Sequence, residues 1–102
     1  MSITIGRFSF EGPFTNTNEL KDEPGIYVIH CYRDNAYHRV DVGESTEVKS
    51  RVENHDRKDC WKRNCAGVLT VSVLYTLHLT EAGRREIEQE IRGQVSTPCG
   101  VQ

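Results

Sequence analysis

Between Pro24 and Gly43 the chain reads PGIYVIHCYRDNAYHRVDVG, and no other stretch limits the fold so strongly. Pro24-Gly25 punctuates the chain, and Ile26 to Tyr32 is a run of β-branched and aromatic residues suited to a pleated sheet surface. Arg33-Asp34-Asn35 supplies turn chemistry, so the next run, Tyr37 to Val42, is predicted to return antiparallel as a hairpin. Gly43 ends that strand. Ser45 is a good N-cap, Glu47 falls in the first turn, and Val48 and Val52 lie one turn apart as the buried stripe of a helix.

The remaining elements follow from period. Residues 1–24 mix aromatic and turn residues and read as an irregular lead-in with one short strand at Ile3–Phe10. The stretch HDRKDCWKRNC reads as a short second helix anchored by Trp61. Val68 to Leu79 alternates, with Leu69, Val71, Val73, Tyr75 and Leu77 on one face and Thr70, Ser72, Thr76 and His78 on the other, as a half-buried strand does. Thr80 caps a last helix whose stripe is Ile87, Ile91 and Val95. The whole reads as one α+β (mixed α/β) domain, residues 1–102, with a small three-stranded antiparallel sheet flanked by helices.

The formal net charge is −2, which argues against coating nucleic acid by bulk charge. The distribution is uneven: residues 1–48 hold four Lys/Arg against eight Asp/Glu, and residues 49–63 hold six against three. Lys49, Arg51, Arg57, Lys58, Lys62 and Arg63 therefore form a local positive face after the glycine turn. No apolar run approaches the ~20 residues of a membrane span, so no membrane partner is expected. The opening MSITIGRF breaks at Gly6 and Arg7 before a secretory segment forms, which predicts a cytoplasmic location. There, Cys31, Cys60, Cys65 and Cys99 are expected to be thiols or metal ligands. A zinc site at His55, Cys60, Cys65 and Cys99 is one possibility, although Cys60 and Cys65 stand about 140° apart on a continuous helix.

Gly25-Ile26-Tyr27, a hairpin, Asp41-Val42-Gly43, and then Arg51 and His55 resemble, in order and spacing, the GIY-YIG nuclease superfamily. The first signature is intact as GIY and the second is present as DVG. Residues 25–100 are the family-like core, and Glu88, within Glu88-Gln89-Glu90-Ile91, matches the family's late metal-binding glutamate. The resemblance implies a metal-dependent endonuclease that hydrolyses phosphodiester bonds, with DNA ahead of RNA as substrate. It implies Arg51 as phosphate clamp, since a guanidinium matches two phosphate oxygens at once. Tyr27 and His55 would be the pair that handles water and proton, and Glu88 would hold one Mg²⁺ or Mn²⁺. Lys49, Arg57, Lys58, Lys62 and Arg63 would contact nucleic acid.

Three positions depart from the pattern. Asp41 replaces the tyrosine of the second signature, which makes it an altered catalytic participant, a second metal ligand or a mark of lost hydrolysis. Glu44 stands where some relatives carry lysine, and Pro98-Cys99-Gly100 replaces the closing asparagine motif. The alternatives are a catalytically impaired module of the same fold that binds nucleic acid or a protein, and a small structural zinc module. Arg84 and Arg92, each four residues from Glu88, also allow a surface charge ladder there.

Overall fold

The computed structural model describes residues 1–100. They form a mixed α+β domain on one antiparallel sheet of five strands, β1 (Ser2–Ile5), β2 (Phe8–Phe14), β3 (Gly25–Arg33), β4 (Ala36–Ser45) and β5 (Val68–Tyr75). The spatial order is β1-β2-β5-β3-β4. Three helices accompany the sheet: α1 (Val48–Glu53), α2 (Lys58–Arg63) and α3 (Glu81–Arg92).

The β3–β4 hairpin forms where the sequence indicates. Its two-residue turn holds Asp34 at φ 53 and Asn35 at φ 61, the left-handed pair that matches strand twist and that Asp and Asn tolerate best. The fold class agrees with the sequence reading, but three strands were expected and five are present. The lead-in accounts for the difference. The run read as one strand, Ile3–Phe10, divides at Gly6-Arg7, with Gly6 at φ +63, and its second half adds to the sheet beside β5.

That addition makes β5 a central strand, between β2 and β3. Both of its edges are therefore paired, and Thr70 and Ser72 are buried, at 5% and 0% exposure, instead of facing solvent. Alternation along β3 divides the core in two. Tyr27, Ile29 and Cys31 pack with Val48, Val52 and Trp61 on the α1–α2 face, while Ile26 and Val28 pack with Phe10, Val42 and Ile91 under α3. Each large buried apolar side chain contributes about 1.5–3 kcal/mol. β4 runs through Gly43 to Ser45, β5 stops at Tyr75, and α3 stops at Arg92, so Leu77 and Val95 are exposed rather than core.

The start of α1 is fixed from outside the helix. Ser45 Oγ accepts from the Glu47 amide at 2.9 Å, but the helix begins only at Val48. The unpaired amides of its first turn go to the lead-in: Glu23 O accepts from Val48 N (3.1 Å) and Asp22 Oδ1 from Ser50 N (2.8 Å). Asp22 Oδ2 also accepts from Ser50 Oγ at 2.7 Å, and these bonds hold the carboxyl below its ordinary range.

The expectation of thiols or a zinc site is corrected. Cys31 pairs with Cys65 and Cys60 with Cys99, with Cα atoms 5.4 and 5.9 Å apart, and among the described residues no cysteine is free. The zinc ligands proposed at Cys60, Cys65 and Cys99 are thus spent on sulfur–sulfur bonds. Spacing along the chain could not show this, because the partners lie 34 and 39 residues apart. Both bridges meet at α2: one ties its end to β3, the other ties it to the C-terminal segment, where Cys99 N donates to Val40 O at 3.1 Å. No helix among the described residues is long and apolar enough to cross a membrane.

A thiol assay on denatured, unreduced protein should therefore find no free thiol, and all four cysteines after reduction. Reduction should lower the unfolding free energy by roughly 2–4 kcal/mol per bridge in urea titration. Four thiols before reduction would contradict the pairing.

Candidate functional site

Tyr27 lies on β3 opposite Gly43 of β4. A Cβ at Gly43 would come within 2.3 Å of the phenol's Cζ and Oη, so this glycine is the opening through which the ring passes. Tyr27 is 1% exposed, and its Oη lies 2.8 Å from His55 Nε2. The two rings meet edge-on at 5.8 Å, and the Trp61 ring lies 4.6 Å from the imidazole, tilted against it.

Arg51 and His55 do not share a helix face, as their spacing suggested. α1 ends at Glu53 with Asn54 as its C-cap, and His55 follows in the turn, its side chain fully buried. Arg51 stays in the last turn, 41% exposed, paired with Asp56 Oδ1 at 3.2 Å and facing the Tyr27 phenol. The structure thus brings Tyr27, Arg51 and His55 together, with one cation at the mouth and two neutral rings behind it.

The protonation states follow from the surroundings. Burial, reinforced by Arg51 and Arg57, pushes His55 down to about 4, so the imidazole is neutral at neutral pH. The Arg57 amide donates to Nδ1 at 3.0 Å, which assigns the ring hydrogen to Nε2, pointing at the phenol oxygen. Asp56 Oδ1 stands 3.2 Å from the same Nδ1 and is placed to accept if the hydrogen moves there. Burial raises Tyr27 to about 12, against the pull of Arg51 and Arg57, so the phenol keeps its proton.

Asp41 sits beside this group with no solvent contact. Its Oδ2 accepts from Arg57 Nε and Trp61 Nε1, both at 2.8 Å. Its Oδ1 accepts from Val42 N (2.8 Å), Arg92 Nη2 (3.0 Å) and Arg57 Nη2 (3.4 Å). Those donors outweigh burial and hold the carboxyl below its ordinary range. Five hydrogen bonds occupy the lone pairs that a metal or a water proton would need. Arg92 also donates to the Val42 carbonyl.

Glu88 lies on α3, with its side chain 20% exposed and Arg92 Nη2 4.0 Å away. Burial raises its carboxyl, and Glu44 adds to the rise. Glu44 is itself held by Arg84 Nε at 3.0 Å. Arg84 and Arg92 are buried at 6% and 11% side-chain exposure, so the surface ladder suggested by their spacing is instead a pair of guanidiniums packed on β4. Among the described residues no three His, Cys, Asp or Glu gather as a metal cage; Glu88 lies on α3, which packs on the opposite sheet face from Tyr27 and α1, and Arg57 acts electrostatically on both Tyr27 and Glu88.

The basic stretch is divided. Arg57 is engaged by Asp41, and Lys58 Nζ donates to the Glu53 carbonyl at 2.9 Å. Lys49 is half-exposed, whereas Lys62 and Arg63 are open on the last turn of α2. Sequence reasoning missed Arg92, Trp61 and Arg84 as members of this network. An acid flanked by Val40 and Val42 in an apolar strand was the available signal, because such a carboxylate requires buried donors. Comparison of the chain with protein-family models, curated protein sequences and solved structures finds no match in any of the three.

Asp41→Ala should destabilise the fold by about 3 kcal/mol in urea titration, since the largely buried Arg92 and the partly exposed Arg57 lose their counter-charge; a loss below 1 kcal/mol would remove its anchoring role. The pH dependence has a definite sign. Burial pushes His30 down to about 4 as well as His55, so the unfolded chain protonates first as pH falls. The stability from their neutral burial is complete above about pH 6.5 and is lost towards about pH 4, with a slope of up to about 1.4 kcal/mol per pH unit for each ring. The raised carboxyl of Glu88 opposes this trend as it ionises. Urea midpoints between pH 4.5 and 7 read the slope, and a flat profile would contradict neutral burial.

Proposed function

We propose that this chain is a GIY-YIG-like domain that hydrolyses DNA phosphodiester bonds with one divalent cation. The observation that carries the reading is the shared cluster of a phenol, an imidazole and a guanidinium, with Tyr27 Oη 2.8 Å from His55 Nε2. Phosphodiester hydrolysis builds negative charge on phosphoryl oxygens, and fixed cations aimed there supply most of the rate. Arg51 serves that role beside a groove of about 270 Å³ bordered by Ser45, Glu47, Ser50 and Asn54.

Tyr27 orients the attacking water. His55 holds that phenol in place, its Nε2 hydrogen directed at Oη while the Arg57 amide fixes Nδ1. Glu88, half-open and raised, suits an ion that takes one or two carboxylates and otherwise water and phosphate. Bound there, Mg²⁺ or Mn²⁺ would neutralise charge on the leaving group. Asp41 takes no part in the chemistry; it positions Arg57.

A second reading is a non-catalytic module of the same fold that binds nucleic acid or a protein, with Lys62 and Arg63 outermost. It is favoured by the saturation of Asp41 and the near-complete burial of Tyr27. The paired cysteines favour a non-reducing compartment over the cytoplasmic location read from the sequence.

Nicking of supercoiled plasmid with Mg²⁺ or Mn²⁺ separates the readings. Wild type should nick, and Arg51→Ala and Glu88→Ala should each lose about 10²–10³-fold in rate. Equal nicking by all three proteins would dismiss catalysis by this site. Salt-sensitive DNA binding without nicking would favour the second reading.

A further inference from the structure

The sheet face that α3 covers continues past the helix end towards the β3–β4 turn. There Tyr32 and Tyr37, paired across the strands, are 37% and 45% exposed with ring centroids 4.7 Å apart. His30 lies next to them at 4% exposure, its ring 5.9 Å from that of Tyr37. Opposite His30 on β4 is Arg39.

Arg39 is unlike the other buried arginines. Its Nη1 donates to Ile91 O and to Gln94 Oε1, both at 3.1 Å, and both acceptors are neutral. Its Nε is buried without a hydrogen-bond partner. Burial lowers its pKa, and no carboxylate acts against that. Arg57, Arg84 and Arg92 each have a carboxylate. A groove of about 390 Å³ runs over His30, Tyr37 and Arg39 to Val95 and Ser96, within the range of small-ligand sites.

A half-buried cation without a counter-charge calls for an anion. A simple anion would satisfy Arg39 but leave the tyrosine pair unused. Exposed aromatic faces beside a guanidinium suit a planar base attached to a phosphate, because bases of any identity stack on such rings. We propose that this groove binds an unpaired nucleotide of a nucleic-acid strand, its phosphate on Arg39 and its base on Tyr37 and Tyr32. The inference rests on the reading that the chain acts on nucleic acid, and it narrows the substrate to one carrying a single-stranded segment.

The test uses the full, disulfide-intact chain, isotope-labelled, in EDTA, titrated with a hexamer of oligo-dT, oligo-U, inorganic phosphate or a blunt duplex while backbone and arginine Nε resonances are followed. Shifts at residues 30–39 and 94–96 with either oligomer, at concentrations where phosphate and duplex leave them unmoved, support the subsite, and the tighter oligomer identifies the strand. Arg39→Gln and Tyr37→Ala should each weaken that binding about tenfold, while Tyr37→Phe, which keeps the ring, should not. Phosphate binding as tightly as the oligomers, shifts confined to residues 49–63, or unchanged affinity in Tyr37→Ala would each overturn it. No metal or cleavage enters this readout, so an inactive nuclease leaves it intact. Nicking activity without shifts at the hairpin would remove the subsite alone.

Discussion

The Asp41 carboxylate has no water to lean on, and its solution determines much of the molecule. Arg57 and Trp61 reach it from the side of α2, Arg92 reaches it from the end of α3, and the amide of Val42 closes the set. Because α2 and α3 lie on opposite faces of the sheet, one anion on the edge strand joins both helical layers. Removing charge from water is expensive, so such a centre adds less net stability than an apolar core of the same volume. Its contribution is to the arrangement: donors from both layers converge on one carboxylate. Gly100, at φ +89, lies against the pair, where a Cβ would come within 2.6 Å of Arg92 Nη1 and 2.8 Å of Asp41 Oδ1.

Arg57 carries the influence of that centre into the candidate site. Its side chain grips Asp41 while its amide donates to His55 Nδ1. The placement of a structural ion pair and the tautomer of a neighbouring imidazole are therefore set by a single residue. The resulting site is electrostatically layered, with neutral rings inside and the Arg51 guanidinium at the rim. A phosphate approaching it meets the cation first.

Long periodic segments were legible in the sequence, and contacts between distant segments were not. The β3–β4 hairpin, α1 and α3 follow from β-branched runs, turn residues and apolar stripes, and the structure places them within a few residues of the expected bounds. β1 and β2 read as one short strand, Ile3–Phe10, because Gly6, Gly12 and Pro13 break the period over which two strands would be recognised. Tyr27, Arg51 and His55 were picked out as a group by their order, although His55 reaches the phenol from beyond the helix and not along its face. Asp41 reads from the sequence as an altered catalytic participant, a metal ligand or a mark of lost hydrolysis, and its neighbours in sequence do not reveal the donors arriving from 16, 20 and 51 residues away. The cysteine pairing is hidden for a related reason: the partners lie 34 and 39 residues apart and meet only on folding.

The β3–β4 ladder changes phase once. Ile29 faces Asp41 and His30 faces Arg39, which leaves Val40 surplus, its carbonyl taken by Cys99. On one side of that surplus residue the strands bring Gly43 to Tyr27, and on the other they bring Arg39 to His30. Gain or loss of one residue in β4 would shift one set of pairs against the other, turning the carboxylate or the arginine to the wrong face. The count of residues in β4, more than their identity, therefore keeps the two halves of the ladder in phase.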